Sequence, residues 1–204
     1  MTATQARVTP VPVEEWGDDA VAALSDSFGR ETAERFLAAG TDAVPNVLGT
    51  LLRHPGLAGP FLTYNNVLLF TPTLPPRLRE LMVLRVAWRT RSTYEWVQHV
   101  RLALSCDVTR EEIDAIARGA EAETWTPIEA DLLAATDQLV DGYRIDDTTW
   151  ARLAGHFDER QLVELLFVVG TYTGLAMVFN SLGLELDDEL DSVDAPPIPG
   201  TEDR

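Results

Sequence analysis

Between Arg77 and Trp88 the chain is apolar on nearly every side, with Leu78, Leu81, Met82, Val83, Leu84, Val86, Ala87 and Trp88 in one run. A helix with so little polar face has to be covered all round, so it is expected at the centre of a fold made of other helices. The turn Thr71-Pro72-Thr73-Leu74-Pro75-Pro76 leads into it, with proline at or near the helix start. Arg89 to Arg91 then links it to a second helical pattern, capped by Ser92 or Thr93 and running to about Ser105.

The rest of the chain reads the same way. Trp16 to Phe28 predicts a helix entered through Glu14, Glu15 and Asp18, and Arg30 to Ala39 a second one ending at Gly40. Asn46 to Arg53 and Leu57 to Phe70 carry apolar residues at helical spacing, separated by a break at His54-Pro55-Gly56. Thr109-Arg-Glu-Glu112 and Thr126-Pro-Ile-Glu129 are capping boxes, opening helices that end at Gly119 and Gly142. Asp146 or Asp147 caps Thr148 to Gly155, and Asp158 caps the last long helix, Glu159 to about Leu182. No alternating strand pattern appears, so the expected fold is all-α. Residues 1–13 read as an extended arm, 14–184 as one helical domain, and 185–204 as an acidic, Pro-rich tail unable to order itself. Glu80 and Glu164 each open an apolar run, a faint internal echo that any two buried helices could produce.

A formal charge of -17 over 204 residues makes nucleic acid and anionic membranes unfavourable partners. Cys106 is the only cysteine, which rules out an internal disulfide or a CxxC redox pair. The start of the chain lacks the pattern of a signal peptide, and no uninterrupted apolar run reaches the ~20 residues of a membrane span. Leu162 to Met177 comes closest. These features lead us to expect a soluble, cytoplasmic protein.

The candidate site is Ser92-Thr-Tyr-Glu-Trp-Val-Gln-His99. Ser92, Glu95 and His99 fall at i, i+3 and i+7, on one helix face. A hydroxyl, a carboxylate and an imidazole make a proton-handling set. Glu95 stands one turn before His99, where it could orient the ring or make only a surface contact. Glu80 is a carboxylate inside an apolar run, readable as a proton relay or as a first-turn glutamate paired with Arg77 or Arg85. Arg85 and Arg89 could grip an anionic substrate or serve as salt-bridge partners at a subunit contact. Tyr64, Asn65, Asn66, Tyr172 and Asn180 could add hydrogen bonds to a pocket. Cys106 reads as a small core residue, His54 as a loop histidine and His156 as a helix-end histidine. Glu80, Glu95 and His99 could in principle be metal ligands, but a zinc site usually offers more His or Cys, so no metal is expected.

These residues resemble the carboxymuconolactone decarboxylase family, which includes the alkylhydroperoxidase D-like proteins. The resemblance lies in Leu74-Pro-Pro-Arg-Leu-Arg-Glu80-Leu, Leu84-Arg-Val-Ala-Trp and Ser92-Thr-Tyr-Glu95-Trp-Val-Gln-His99, with support from the Thr109-Arg-Glu-Glu-Ile helix and the final apolar helix. It implies an alkylhydroperoxidase D-like helical bundle and a homo-oligomer with sites near subunit contacts. The peroxidase branch carries a glutamate, then CxxC, then a histidine four residues on. Glu80 falls on that glutamate and His99 on that histidine, but Ser92 and Glu95 replace the two cysteines, so disulfide-based peroxide reduction is not expected.

The resemblance and the residues together lead us to expect a cofactor-free lyase or isomerase. Its substrate would be a small carboxylated lactone or enolisable organic acid, for example a secondary-metabolite intermediate. His99 would act as acid/base oriented by Glu95, with Glu80 relaying protons and Ser92, Tyr94, Trp96 and Arg85 holding the substrate. The competing expectation is a non-catalytic oligomeric binding or scaffold protein of the same fold.

Overall fold

The computed structural model describes residues 6–190 and 192–201. Its α-helices are α1 (Asp18–Phe28), α2 (Arg30–Ala39), α3 (Asn46–Leu51), α4 (Pro55–Phe70), α5 (Pro76–Thr90), α6 (Thr93–Leu104), α7 (Arg110–Ala115), α8 (Pro127–Gly142), α9 (Asp147–Ala154) and α10 (Glu159–Leu182). Among the described residues there is no β-strand. They fall into two compact units: residues 6–71 with Leu182–Asp187, and Pro72–Ser181 with 188–190 and 192–201.

In the first unit, α1 packs along α4. Gly59 makes that approach possible, because a Cβ there would lie 3.3 Å from the Ala23 backbone. Ala20, Ala23, Leu24, Ala33, Leu52, Ala58 and Leu62 form the core, joined by the partly buried Trp16, Phe28 and Phe36. Trp16 lies just ahead of α1 rather than in it, its indole N–H donating to the Val11 carbonyl at 3.1 Å. The described part of the N-terminal arm is held down: Val11 N–H donates to Gly49, and Arg53 donates to the carbonyls of Thr9 and Pro10. His54 is not a plain loop histidine. It caps α4, accepting from Leu57 N–H at 3.2 Å, and Pro55 occupies the first helical position, where its missing donor costs nothing.

The second unit is organised around α5, which packs on α6 and α8. Leu81, Met82, Val83, Leu84, Val86 and Ala87 are all fully buried, as the all-round apolar pattern requires. Both predicted boxes engage their glutamates. Glu112 accepts from Thr109 N–H at 2.8 Å and Glu129 from Thr126 N–H at 2.9 Å. Arg77 reaches both, bonding Glu112 at 2.5 Å and Glu129 at 2.9 Å, so one guanidinium ties the starts of α7 and α8 to the start of α5. Glu164 of α10 accepts from the backbone N–H groups of Thr73 and Leu74, closing the turn ahead of α5. Its role is therefore unlike that of Glu80, and the internal echo has no functional counterpart.

The tail differs from expectation. Residues 188–190 form a short 3-10 turn that buries Leu190, and Ile198 is buried further on. The Trp96 indole N–H donates to the Pro196 carbonyl at 2.7 Å, and Arg110 donates to the Asp194 carbonyl. Two apolar pegs and a buried indole donor anchor this acidic stretch despite its composition.

α10 is long and apolar enough to cross a membrane by length and composition. Leu162, Leu165, Val168, Val169, Tyr172, Leu175, Ala176 and Phe179 are buried on one side of it, while Val163, Leu166, Phe167, Met177 and Val178 are exposed on the other.

Candidate functional site

α5 and α6 form a helical hairpin whose turn is set by Arg91, in the left-handed region at φ 55. The turn places Ser92 N–H on the Ala87 carbonyl at 2.9 Å. α5 presents Glu80 and α6 presents His99 to each other. His99 Nδ1 lies 2.7 Å from Glu80 Oε2, and both side chains are buried. The other Glu80 oxygen accepts from Arg79 at 2.7 and 2.9 Å. Tyr172 of α10 packs edge-on against the His99 ring, with centroids 4.9 Å apart.

Burial is the largest single influence on Glu80 and pushes its carboxyl up. The charges and hydrogen bonds of His99 and then Arg79 together outweigh it, so Glu80 sits below the usual carboxylate range and is ionised. An ionised carboxylate can only accept, so the hydrogen bond puts a proton on His99 Nδ1. In the neutral ring, Nε2 then carries the lone pair, the state of a base ready to take a proton.

Glu95 has a different place from the one expected. It does not orient His99; Glu80 does, from the neighbouring helix. Both Glu95 oxygens are buried without a hydrogen-bond partner, and so is the Ser92 hydroxyl. Burial is the larger influence and pushes the Glu95 carboxyl up to about 8, against the lowering effect of the neighbouring Ser92 hydroxyl, which stands beyond hydrogen-bond distance. Burial likewise holds the Tyr172 hydroxyl above its ordinary value.

Arg85, expected to hold substrate, is already engaged within the fold. Its guanidinium binds Asp137 at 2.7 and 2.8 Å and the Ile116 carbonyl at 2.6 Å, beneath Gly119. Arg89 is likewise paired, with Asp137 and Asp141. Trp96 is also a packing residue, edge-on to Trp88 with its N–H taken by Pro196. Tyr94 is buried edge-on against Phe179. Asn180 donates to the Thr90 carbonyl. Cys106 is half-buried beside Ser105, and His156 is exposed after α9. Tyr64, Asn65 and Asn66 belong to the other compact unit. Among the described residues, no three His, Cys, Asp or Glu side chains gather into a metal-holding group.

Sequence reasoning missed Arg79. Neighbours at i, i+1 on a helix point apart, so the expected partners of Glu80 were Arg77 and Arg85. The available signal was a second charge inside the most buried helix, where it needs a partner.

Residues 55–138 match the sequence model of the carboxymuconolactone decarboxylase family. No curated protein matches the chain. Solved structures share the fold. A peroxidase-related protein from Ralstonia eutropha JMP134, described as an alkylhydroperoxidase AhpD core, superposes with a TM-score of 0.70 at 21% identity, covering 90% of this chain and 94% of its own. A peroxidase-related protein from Silicibacter sp. TM1040 gives 0.72 at 13% identity, with 94% and 97% covered. The debrominase Bmp8, in a single-substitution form in complex with 2,3,4-tribromopyrrole, gives 0.70 at 16% identity, also with 94% and 97% covered.

Proposed function

We propose that the chain is a cofactor-free acid/base enzyme, a decarboxylase/lyase or isomerase, acting on a small carboxylated lactone or enolisable organic acid. The observation that carries this reading is the buried His99–Glu80 pair, 2.7 Å apart and backed by Arg79. Glu80 holds the ring and stabilises the imidazolium that forms when His99 Nε2 takes a proton from carbon. In an isomerisation the imidazolium returns that proton to a different carbon; in a decarboxylation no proton is taken from carbon, and a ring protonated by solvent delivers its proton to the carbanion left when carbon dioxide departs, after which solvent recharges it. A thiol-based peroxide cycle is unsupported here: Cys106 is the chain's only sulfhydryl, and Ser92 and Glu95 stand where the peroxidase branch has its pair.

The test is solvent deuterium incorporation, followed by proton NMR across a panel of enolisable acids and carboxylated lactones. His99→Gln is expected to lower the rate of any substrate found by about tenfold or more. An unchanged rate removes His99 from the mechanism.

We also propose a homo-oligomer. Leu166, Phe167, Met177 and Val178 are exposed on α10, in a stretch with no charged residue between Glu164 and Glu185. In a chain of net charge -17, an uncharged apolar face is where copies meet with least repulsion.

A further inference from the structure

The chain contains three Ser/Thr-x-x-Glu sequences at helix starts: Ser92 to Glu95, Thr109 to Glu112 and Thr126 to Glu129. In the last two, the glutamate reaches back to the N–H of the capping residue. At Ser92 it does not, for a visible reason. The Ser92 N–H is already donated to the Ala87 carbonyl across the α5–α6 turn, so Glu95 has no backbone donor to reach. Ser92 in turn makes no side-chain cap. Both side chains are buried, Ser92 at 0% and Glu95 at 2% exposure; the Ser92 hydroxyl bears on the Glu95 carboxyl, but no side-chain oxygen of either reaches a partner at hydrogen-bond distance.

Leaving such groups unpartnered is costly, so each calls for a partner that completes it. Their chemistry says what kind of ligand. The first-turn N–H groups of α6 give this end of the helix positive character. The Ser92 hydroxyl has a proton to give. Glu95, desolvated and with no cation paired to it, is favoured as the neutral acid, which also has a proton to give. Both lie on the α6 face that carries His99, Glu95 one turn before it.

We propose that Ser92 and Glu95 form the subsite for a carboxylate oxygen of the ligand, the Ser92 hydroxyl and the Glu95 carboxylic O–H both donating to it. The proposal rests on the acid/base reading of His99 for its place in turnover, but not for binding. It makes Glu95 a binding residue held in the acid form, rather than the group that orients His99. The division of labour is between one carboxyl kept ionised by Arg79 and His99, and another kept neutral by burial. The same residue type does opposite work in the two places because the neighbours differ.

The test uses benzoate as the probe carboxylate and the full chain, by isothermal titration calorimetry. Tyr172 on α10 interacts electrostatically with Glu95 and also with Glu80 and Arg79 on α5, and Glu80 bonds His99 on α6, so several titratable groups share this region. The pH dependence belonging to Glu95 is therefore read as the difference between wild type and Glu95→Gln. Wild type is expected to bind benzoate about tenfold more weakly at about pH 9.5 than at about pH 6, because an ionised Glu95 repels the probe. Glu95→Gln, which keeps a donor at every pH, should flatten that dependence. Glu95→Leu and Ser92→Ala should each weaken binding at about pH 6, the former by about tenfold. Infrared spectroscopy should show a carboxylic-acid carbonyl band at about pH 6 that disappears in Glu95→Gln. No benzoate binding by wild type at about pH 6, unchanged binding in Glu95→Leu, or absence of that band overturns the proposal. His99→Gln keeps benzoate binding if the subsite is real. Loss of the acid/base reading therefore shows up in turnover, and loss of this one in binding.

Discussion

At the scale of single residues, Glu80 and Glu95 are two buried glutamates whose surroundings drive them in opposite directions, and stability should report both. Glu80 is held below its ordinary value in the fold, so its contribution is complete above the unfolded value of 4.5 and is lost as pH falls through the folded one. Glu80→Gln should cost about 3 kcal/mol at neutral pH, because it leaves Arg79 buried beside a neutral amide. The gap to wild type should close on acidification. Glu95 has the opposite sign. Its folded value of about 8 lies above the unfolded 4.5, so the folded chain holds a proton that the unfolded chain has released. Wild type should therefore lose stability relative to Glu95→Gln across that interval, by several kcal/mol in total at about 1.4 kcal/mol per pH unit. Urea unfolding of both proteins from acid to alkaline pH measures this directly, and a constant difference would mean that Glu95 is ionised in the fold.

At the scale of elements, most helix boundaries were legible because they are set locally. Gly40 ends α2, Pro55 and Pro76 stand at the first positions of α4 and α5, and Thr109 and Thr126 begin α7 and α8 through boxes read from four residues. The partner of His99 was not legible. Spacing along α6 offered Glu95, but the crossing of α5 over α6 supplies Glu80, and that depends on how two helices pack. The tail shows the same limit: its composition forecasts disorder, whereas Leu190, Ile198 and the Trp96–Pro196 bond fasten it. Two element-scale expectations follow from the caps and turns. Thr109→Ala should cost about 1 kcal/mol, whereas Ser92→Ala should leave thermal stability nearly unchanged because its hydroxyl caps nothing. Gly119→Ala should destabilise by about 1–3 kcal/mol: its φ of 62 disfavours a side chain, and a Cβ would lie 2.6 Å from the Arg85 guanidinium.

At the scale of the whole molecule, the charge of -17 and the apolar face of α10 pull against each other. In the proposed homo-oligomer, repulsion between copies would be spread over the surface, while attraction would be concentrated on one helix face. Light scattering should give a mass that is a multiple of 22.5 kDa, and salt should favour the larger species by screening the repulsion. Met177→Glu should shift the protein towards smaller species. A wild-type monomer at every salt concentration would remove α10 as the contact. The family-model match over 55–138 and the shared bundle agree on the scaffold.

The central claim is that Glu80 holds His99 with its proton on Nδ1 and leaves Nε2 free to act as a base. Nitrogen-15 NMR of the His99 ring, in wild type and in Glu80→Gln, tests it most directly. The account predicts the Nδ1–H tautomer for the neutral ring of wild type, and loss of that preference in Glu80→Gln. A neutral wild-type ring protonated on Nε2 would contradict it, because the nitrogen assigned to catalysis would then have no lone pair to offer.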